Sequence, residues 1–245
     1  MRWVLAFVAA CSVPPFAGSD DGGGGHDEDG DGIADADDPC PQIASPAGSH
    51  DTDGDGIGDD CDPFPNDAAD SKRFYSFTGT TGDLSRDGSM VITANTLDIG
   101  GSADVTDLVW VPNDFTYVRV DVGFDVAFVA GGMDQQITIH TRHPSTGPTN
   151  DDGGQCDIVV VDATTMSIVV KQALTTLMSA SIAHGLNGLS AQLSVVQNMT
   201  GGLRCTLDGG ATGEAVATPN SGTGQVGFST HGVQVRLHYL FVAGR

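Results

Sequence analysis

Twelve residues recur in this chain in one register, Asp27 to Asp38 and, 24 residues later, Asp51 to Asp62. Both copies place aspartate at positions 1, 3, 5, 9 and 12, glycine at 6 and isoleucine at 7. Five carboxylates in a dozen residues repel one another and hold a bare chain open. A hard dication turns that repulsion into ligation, because an ion of calcium size takes about six to eight oxygens. Side chains at 1, 3 and 5 converge when the backbone wraps the ion, and glycine at 6 allows the sharp turn. The residue at 7 offers its carbonyl and turns its apolar side chain inward, position 9 acts directly or through water, and position 12 closes the shell. The candidate ligands are Asp27, Asp29, Asp31, Ile33, Asp35 and Asp38 in the first loop. In the second they are Asp51, Asp53, Asp55, Ile57, Asp59 and Asp62. The expected cofactor is Ca2+. An acidic, glycine-rich linker is the plain alternative, but a random acidic tract does not repeat its register.

The residues after each loop limit the local structure. Pro39-Cys40-Pro41 and Pro63-Phe64-Pro65 stand where an EF-hand or dockerin would start a helix, and prolines there stop one. The pattern Asp-x-Asp-x-Asp-Gly-x-x-Asp-x-x-Asp with adjacent Cys and Pro resembles the thrombospondin type 3 repeat, and Asp51 to Asp62 matches it closely. The resemblance covers residues 27–66. It implies a compact calcium-wrapped segment with little regular structure, stapled by disulfides between neighbouring repeats. This chain departs in having only two units and in carrying Glu28 between the first aspartates.

The charge follows the same division. The formal net charge is -22, and residues 20–70 hold 17 of the 32 acids with no Lys or Arg. The remaining 15 acids face 10 bases, an ordinary balance. A chain this acidic repels phosphate backbones and anionic lipid heads, so nucleic acid is not an expected partner.

Met1-Arg2 and the apolar run Trp3 to Ala10 read as an export signal. Val8-Ala9-Ala10-Cys11 resembles the bacterial lipoprotein cleavage motif, which implies lipidation at Cys11 and a membrane attachment through lipid only. The expected location is the outer membrane or cell surface, with plain secretion as the alternative. The cysteine count agrees: five is odd, and modifying Cys11 leaves Cys40, Cys61, Cys156 and Cys205. Four cysteines allow three pairings. Domain logic favours Cys40–Cys61 and Cys156–Cys205, both suited to an oxidising compartment, and the type 3 repeat resemblance supports the first.

Beyond residue 70 the texture becomes short alternating runs rich in Val, Ile, Thr and Phe, such as Tyr117 to Val122, Gln136 to His140 and Val233 to Val242. Period-two alternation between Gly, Asn and Asp predicts half-buried antiparallel strands. Met166 to His184 alone has the length of a helix, and its β-branched content leaves both readings open. About a dozen strands predict an all-β antiparallel jelly roll or β-sandwich, preceded by the irregular calcium-wrapped segment. The stretch from Gly222 to Gly244 resembles the closing strands of the concanavalin A-like lectin/glucanase fold, whose relatives include laminin G-like modules. The expected layout is a signal at 1–11, an acidic Gly-rich tether at 12–26, two calcium repeats at 27–70 serving as a stiff stalk, and the sandwich at 73–245.

Catalysis has little to stand on. Glycosidases of this fold need two facing carboxylates, usually glutamates on one strand. The chain has only Glu28 and Glu214, so no glutamate pair forms. Asp121 and Asp125 are four apart on one strand-like run and share a face, although solvated strand positions explain them as well. His140 and His143, at offset three, fall on opposite faces of a strand. Asn150, Asp151 and Asp152 could supply oxygens to a further calcium, with a polar hairpin the plainer reading. No enzyme is expected. The expected function is recognition of a polysaccharide or cell-surface protein by the sandwich, with an atypical hydrolase or a purely structural envelope protein as alternatives.

Overall fold

A computed structural model describes residues 25–45, 47–78, 82–88, 90–100, 106–129, 135–143, 153–172, 175–218 and 223–245. Cys11 and the loop residues Asn150, Asp151 and Asp152 lie outside them. The described residues contain fifteen strands and no helix.

The first strands are β1 (Ser71–Tyr75), β2 (Ser85–Asp87), β3 (Met90–Thr93), β4 (Thr96–Ile99), β5 (Thr106–Phe115), β6 (Val118–Val129) and β7 (Gln136–His143). They are followed by β8 (Gly154–Asp162), β9 (Thr165–Gln172), β10 (Thr175–Ile182), β11 (Ser190–Gln197) and β12 (Leu203–Gly209). β13 (Gly213–Ala217), β14 (Gly224–His231) and β15 (Val233–Gly244) complete the set. One sheet runs β13-β12-β11-β6-β15-β4-β3, with β1 also paired to β15; the other runs β10-β9-β8-β7-β14-β5-β2. Every pairing is antiparallel. The two sheets enclose one apolar layer. Val118, Val120, Val122, Phe124 and Val126 of β6 face Ile137 and Ile139 of β7, Val226 and Phe228 of β14, and Met166, Ile168 and Val170 of β9 across it. Cys156 of β8 joins Cys205 of β12 through this layer, and Cys40 joins Cys61. Both pairings agree with the sequence.

The ambiguous stretch from Met166 to His184 is a hairpin, β9 and β10. Its alternate residues Met166, Ile168 and Val170 reach the core while Ser167, Val169 and Lys171 turn outward. That period fits a strand and leaves a helix no continuous apolar stripe.

The larger departure concerns the acidic segment. Residues 25–70 hold no strand or helix among those described, as expected, yet they are no free-standing stalk. They lie against the outer face of the eight-stranded sheet. Cys40, Ile57 and Cys61 form a second buried apolar cluster with Tyr239, Phe241 and Ala243 of β15, and Ile43 and Phe74 pack on it. Polar ties surround the cluster. Gln42 Nε2 donates to Asp121 Oδ2 at 2.9 Å in a fully buried bond. Arg119 Nη1 donates to the Asp60 carbonyl at 2.6 Å, and Lys72 Nζ to the Asp38 carbonyl at 2.5 Å. Tyr117 donates to Asp70, its ring packs tilted against Phe64 with centroids 4.2 Å apart, and Arg245 pairs with Asp67.

A β-bulge makes this docking compatible with a sandwich strand. In β15, Val233, Val235 and Leu237 face the core, but from Leu240 onward the phase has moved by one. The register with β6 slips between Leu237 and Tyr239, so Tyr239, Phe241 and Ala243 turn outward under the acidic segment. Before the slip the outward residues are polar, Arg236 and His238. Gly123, opposite Tyr239, keeps the surface flat, since a Cβ there would lie 2.4 Å from the Tyr239 ring.

Candidate functional site

The two acidic loops share one pattern of backbone-to-carboxylate bonds that recurs 24 residues on. Asp27 accepts from the amides of Gly30 and Gly32, both at 2.9 Å; Asp51 accepts from Gly54 at 2.7 Å and Gly56 at 3.0 Å. Asp29 accepts from Asp31 N and Asp53 from Asp55 N; Asp31 accepts from Ile33 N and Asp55 from Ile57 N. Asp38 caps Cys40 N and Asp62 caps Phe64 N. Gly32 and Gly56, at position 6, have φ of 96° and 90°, a region that admits glycine without strain. Oxygens of Asp27, Asp29 and Asp31 come within 4.8 Å of one another, and those of Asp51, Asp53 and Asp55 do the same.

Position 9 behaves differently from positions 1, 3 and 5. Both oxygens of Asp35 are engaged, one by Glu28 N at 2.8 Å and one by His26 Nδ1 at 2.8 Å. Asp59 is engaged by Thr52 N at 2.9 Å and Thr52 Oγ1 at 2.7 Å. These aspartates latch the start of each loop to its middle, and Asp35 N and Asp59 N return bonds to the carbonyls of His26 and His50. The histidine preceding each copy thus belongs to the repeat. In the first loop it takes the role that Thr52 plays in the second, which frees position 2 for Glu28. Ile57 is buried as the inward anchor, while Ile33 is half-buried.

Several carboxylate oxygens have no proton donor. Asp29 Oδ2 and Asp38 Oδ2 in the first loop, and Asp53, Asp55 and Asp62 Oδ2 in the second, are buried without a hydrogen bond. Positions 3 and 12 recur in both sets. In the first loop, position 5 differs because Asp31 Oδ2 accepts from Ser45 N. A buried anionic oxygen without a partner is costly. Burial first, and then the neighbouring aspartates, pushes Asp29 up to about 7 and Asp62 up to about 6, and Asp38 and Asp55 move the same way. Asp59, held by the two Thr52 bonds, moves down. The donor set is all oxygen and matches a hard divalent cation.

Next to the first loop is a cleft of about 400 Å³. Its floor is the outer face of the eight-stranded sheet, with Asp125 of β6, Arg236 and His238 of β15 and Thr96 of β4. Its walls are His26 and Glu28 on one side and, on the other, Thr93 at the end of β3 with the turn residues Ala94 and Asn95. His238 Nε2 lies 3.0 Å from Asp125 Oδ2 and Arg236 Nε 3.0 Å from Asp98. Glu28 is buried; burial, then Asp35, Asp29 and Asp27, pushes it up to about 8. Asp121 and Asp125 do share a face, but only Asp125 reaches the cleft. Asp121 lies under Gln42 and pairs with Arg119 at 2.9 Å, so it is neither a solvated strand position nor open to a substrate.

The seven-stranded sheet carries its own outer row. Trp110 packs on Gly227, where a Cβ would lie 2.3 Å from the ring, and against His140 at 5.4 Å. His140 Nε2 is 2.8 Å from Ser229 Oγ. The side chain of His143 falls outside the described residues.

No family model and no curated protein matches the sequence. Solved structures do resemble it. Winged bean acidic lectin with methyl-α-D-galactose superposes at a TM-score of 0.55 with 11% identity, over 72% of this chain and 99% of that one. The Bacillus licheniformis β-glucanase gives 0.51 and 10%, over 71% and 99%. The exoplasmic/lumenal domain of VIP36, bound to Ca2+ and Man3GlcNAc, gives 0.50 and 14%, over 69% and 86%. The fold is that of the concanavalin A-like lectins and glucanases. Identities this low establish the sandwich and leave its function to the site. The closing stretch of β14 and β15 carried that fold in the sequence. The cleft was not readable there, because it joins residues 26–28, 93–96, 125 and 236–238.

Proposed function

We propose that this chain is an exported calcium-binding recognition protein. Two thrombospondin type 3-like loops within residues 27–70 each hold a Ca2+, and the sandwich, residues 73–245 with the earlier start of β1 at Ser71, recognises a polysaccharide or a cell-surface protein. Asp27, Asp29, Asp31 and Asp38 would hold one ion and Asp51, Asp53, Asp55 and Asp62 the other, with the carbonyls of Ile33 and Ile57; Asp35 and Asp59 position the loops. The observation that carries the reading is the recurrence, at positions 3 and 12 of both copies, of buried carboxylate oxygens that no donor satisfies. The two disulfides fit an oxidising compartment, and the export signal with lipidation at Cys11 would place the domain at the outer membrane or cell surface.

Calcium titration of the exported chain by calorimetry tests this. Two sites are expected, with Asp29→Asn weakening one and Asp53→Asn the other. No heat, and no change in protease resistance of residues 25–70, would refute it. Retention of the protein on polysaccharides, weakened by chelator, tests the recognition half. A hydrolase is the second reading, because Glu28 and Asp125 line one cleft. It predicts release of reducing ends from a polysaccharide, lost in Asp125→Asn.

A further inference from the structure

The cleft beside the first loop has features that neither the metal loops nor the sandwich core require. Its floor begins where the β15 register slips, and bulges recur where a strand must re-aim a side chain. The slip ends the apolar stretch at Tyr239 and leaves Arg236 and His238 facing out beside Asp125. The turn that walls it holds Ala94 at φ 55°, a left-handed conformation that a non-glycine residue adopts at some cost. The lining mixes acceptors (Glu28, Asp125), donors (Arg236), imidazoles (His26, His238) and the hydroxyl and amide groups of Thr93, Asn95 and Thr96. Its volume of about 400 Å³ is within the range of small-molecule sites.

We propose that this cleft is the ligand site of the protein and takes one or two units of a neutral, hydroxyl-rich glycan. The proposal rests on the reading of the sandwich as a recognition domain. Sugar hydroxyls both donate and accept, which suits a lining of alternating carboxylate, imidazole, guanidinium and hydroxyl groups. An anionic glycan fits worse, since Glu28 and Asp125 line the cleft and Asp35 is bonded to His26 and to the Glu28 amide in its wall. One wall depends on the metal loop. The backbone of Glu28 is tied to Asp35, and His26 to the same carboxylate, so the wall exists only while the loop is closed. The ion touches no sugar, yet it governs how much of the protein is competent to bind.

The test uses the full exported chain and a panel of neutral gluco-, galacto- and manno-oligosaccharides beside uronate and sulfated ones, read by calorimetry with calcium and with chelator. Wild type should bind a neutral member. His238→Ala and Arg236→Ala should each weaken it about tenfold or more with unchanged calcium titration. Chelator should weaken it by a factor within the usual range of coupling, about 5–150-fold, and saturating glycan should tighten calcium binding by the same factor. Thr93→Trp, at the exposed last residue of β3, should fill the cleft and abolish binding, and it decides the matter if a floor variant fails to fold. Should wild type bind a glycan that Thr93→Trp and the folded floor variants bind equally well, the cleft is wrong and the recognition reading survives. Should wild type bind no member of the panel, the cleft proposal fails together with the polysaccharide half of the recognition reading, and a cell-surface protein is left as the partner. Preference for anionic members, or indifference to chelator, would also overturn the proposal.

Discussion

On the proposed function, calcium should raise the melting temperature of the whole sandwich, because its outer face is buried by the segment that bound ions would close. When the loops open, Cys40, Ile57 and Cys61 leave Tyr239, Phe241 and Ala243, and the buried bond of Gln42 to Asp121 is lost. A ligand that binds only the folded form stabilises it by about 2.7 kcal/mol at a hundred times its dissociation constant. Two sites give about 5 kcal/mol. For a domain of this size each kcal/mol moves the melting temperature by about 2–4 °C, so the shift should be about 10–20 °C. Calorimetric scans with saturating calcium and with chelator measure it. Hydrogen exchange should place the released protection in β15 and β6, at Tyr239 to Ala243 and at Arg119 to Gly123. A sandwich transition indifferent to calcium, with changes confined to residues 25–70, would refute the docked arrangement and restore an independent stalk.

The pH dependence of the chelated protein should run opposite to that of most proteins. In the fold Glu28, Asp29 and Asp62 titrate near 8, 7 and 6, above their ordinary carboxylate values. A raised folded value means that the folded form holds more protons in between, so stability falls as pH rises from about 4 towards 8. In chelator the melt should therefore be higher at pH 5 than at pH 8. Excess calcium, which competes with protons for the same oxygens, should reverse the order; a chelated melt that rises with pH contradicts this. Removing the Cys40–Cys61 bridge, with both residues changed to alanine, should cost about 3 kcal/mol by loop entropy and raise the calcium concentration at half-saturation. Asp121→Ala leaves Arg119 and Gln42 without their buried acceptor and should cost about 3–5 kcal/mol in thermal melts. Asp125→Asn, in the open cleft, should leave the melt within about 0.5 kcal/mol of wild type.

The two acidic loops were legible because their information is local. Ligand spacing, glycine positions and the 24-residue repeat all lie within a few turns of chain, and His26 and His50 could have been read too, one place before each copy. The sandwich was legible through period-two runs such as Val118 to Val126. The docking was not, since it joins Gln42 to Asp121 and Ile57 to Phe241 over long separations. One signal did exist. β15 alternates from Val233 to His238 and is then buried at every residue from Tyr239 to Gly244, and an uninterrupted apolar run marks a strand covered on both sides.

The slipped register of β15 also sets what changes this strand can survive. Its two halves count their inward positions from different origins, and the residues between Leu237 and Tyr239 reconcile them. Exchanging His238 for another amino acid leaves that reconciliation in place. Excising it would remove the extra residue, so that Leu237 opposite Phe124 is followed directly by Tyr239 opposite Gly123; Tyr239, Phe241 and Ala243 stay outward and Leu240 and Val242 stay between the sheets. Loss of that codon therefore costs the contact of His238 with Asp125, whereas loss of one beyond the slip, such as that for Phe241, would turn Val242 out and Ala243 inward.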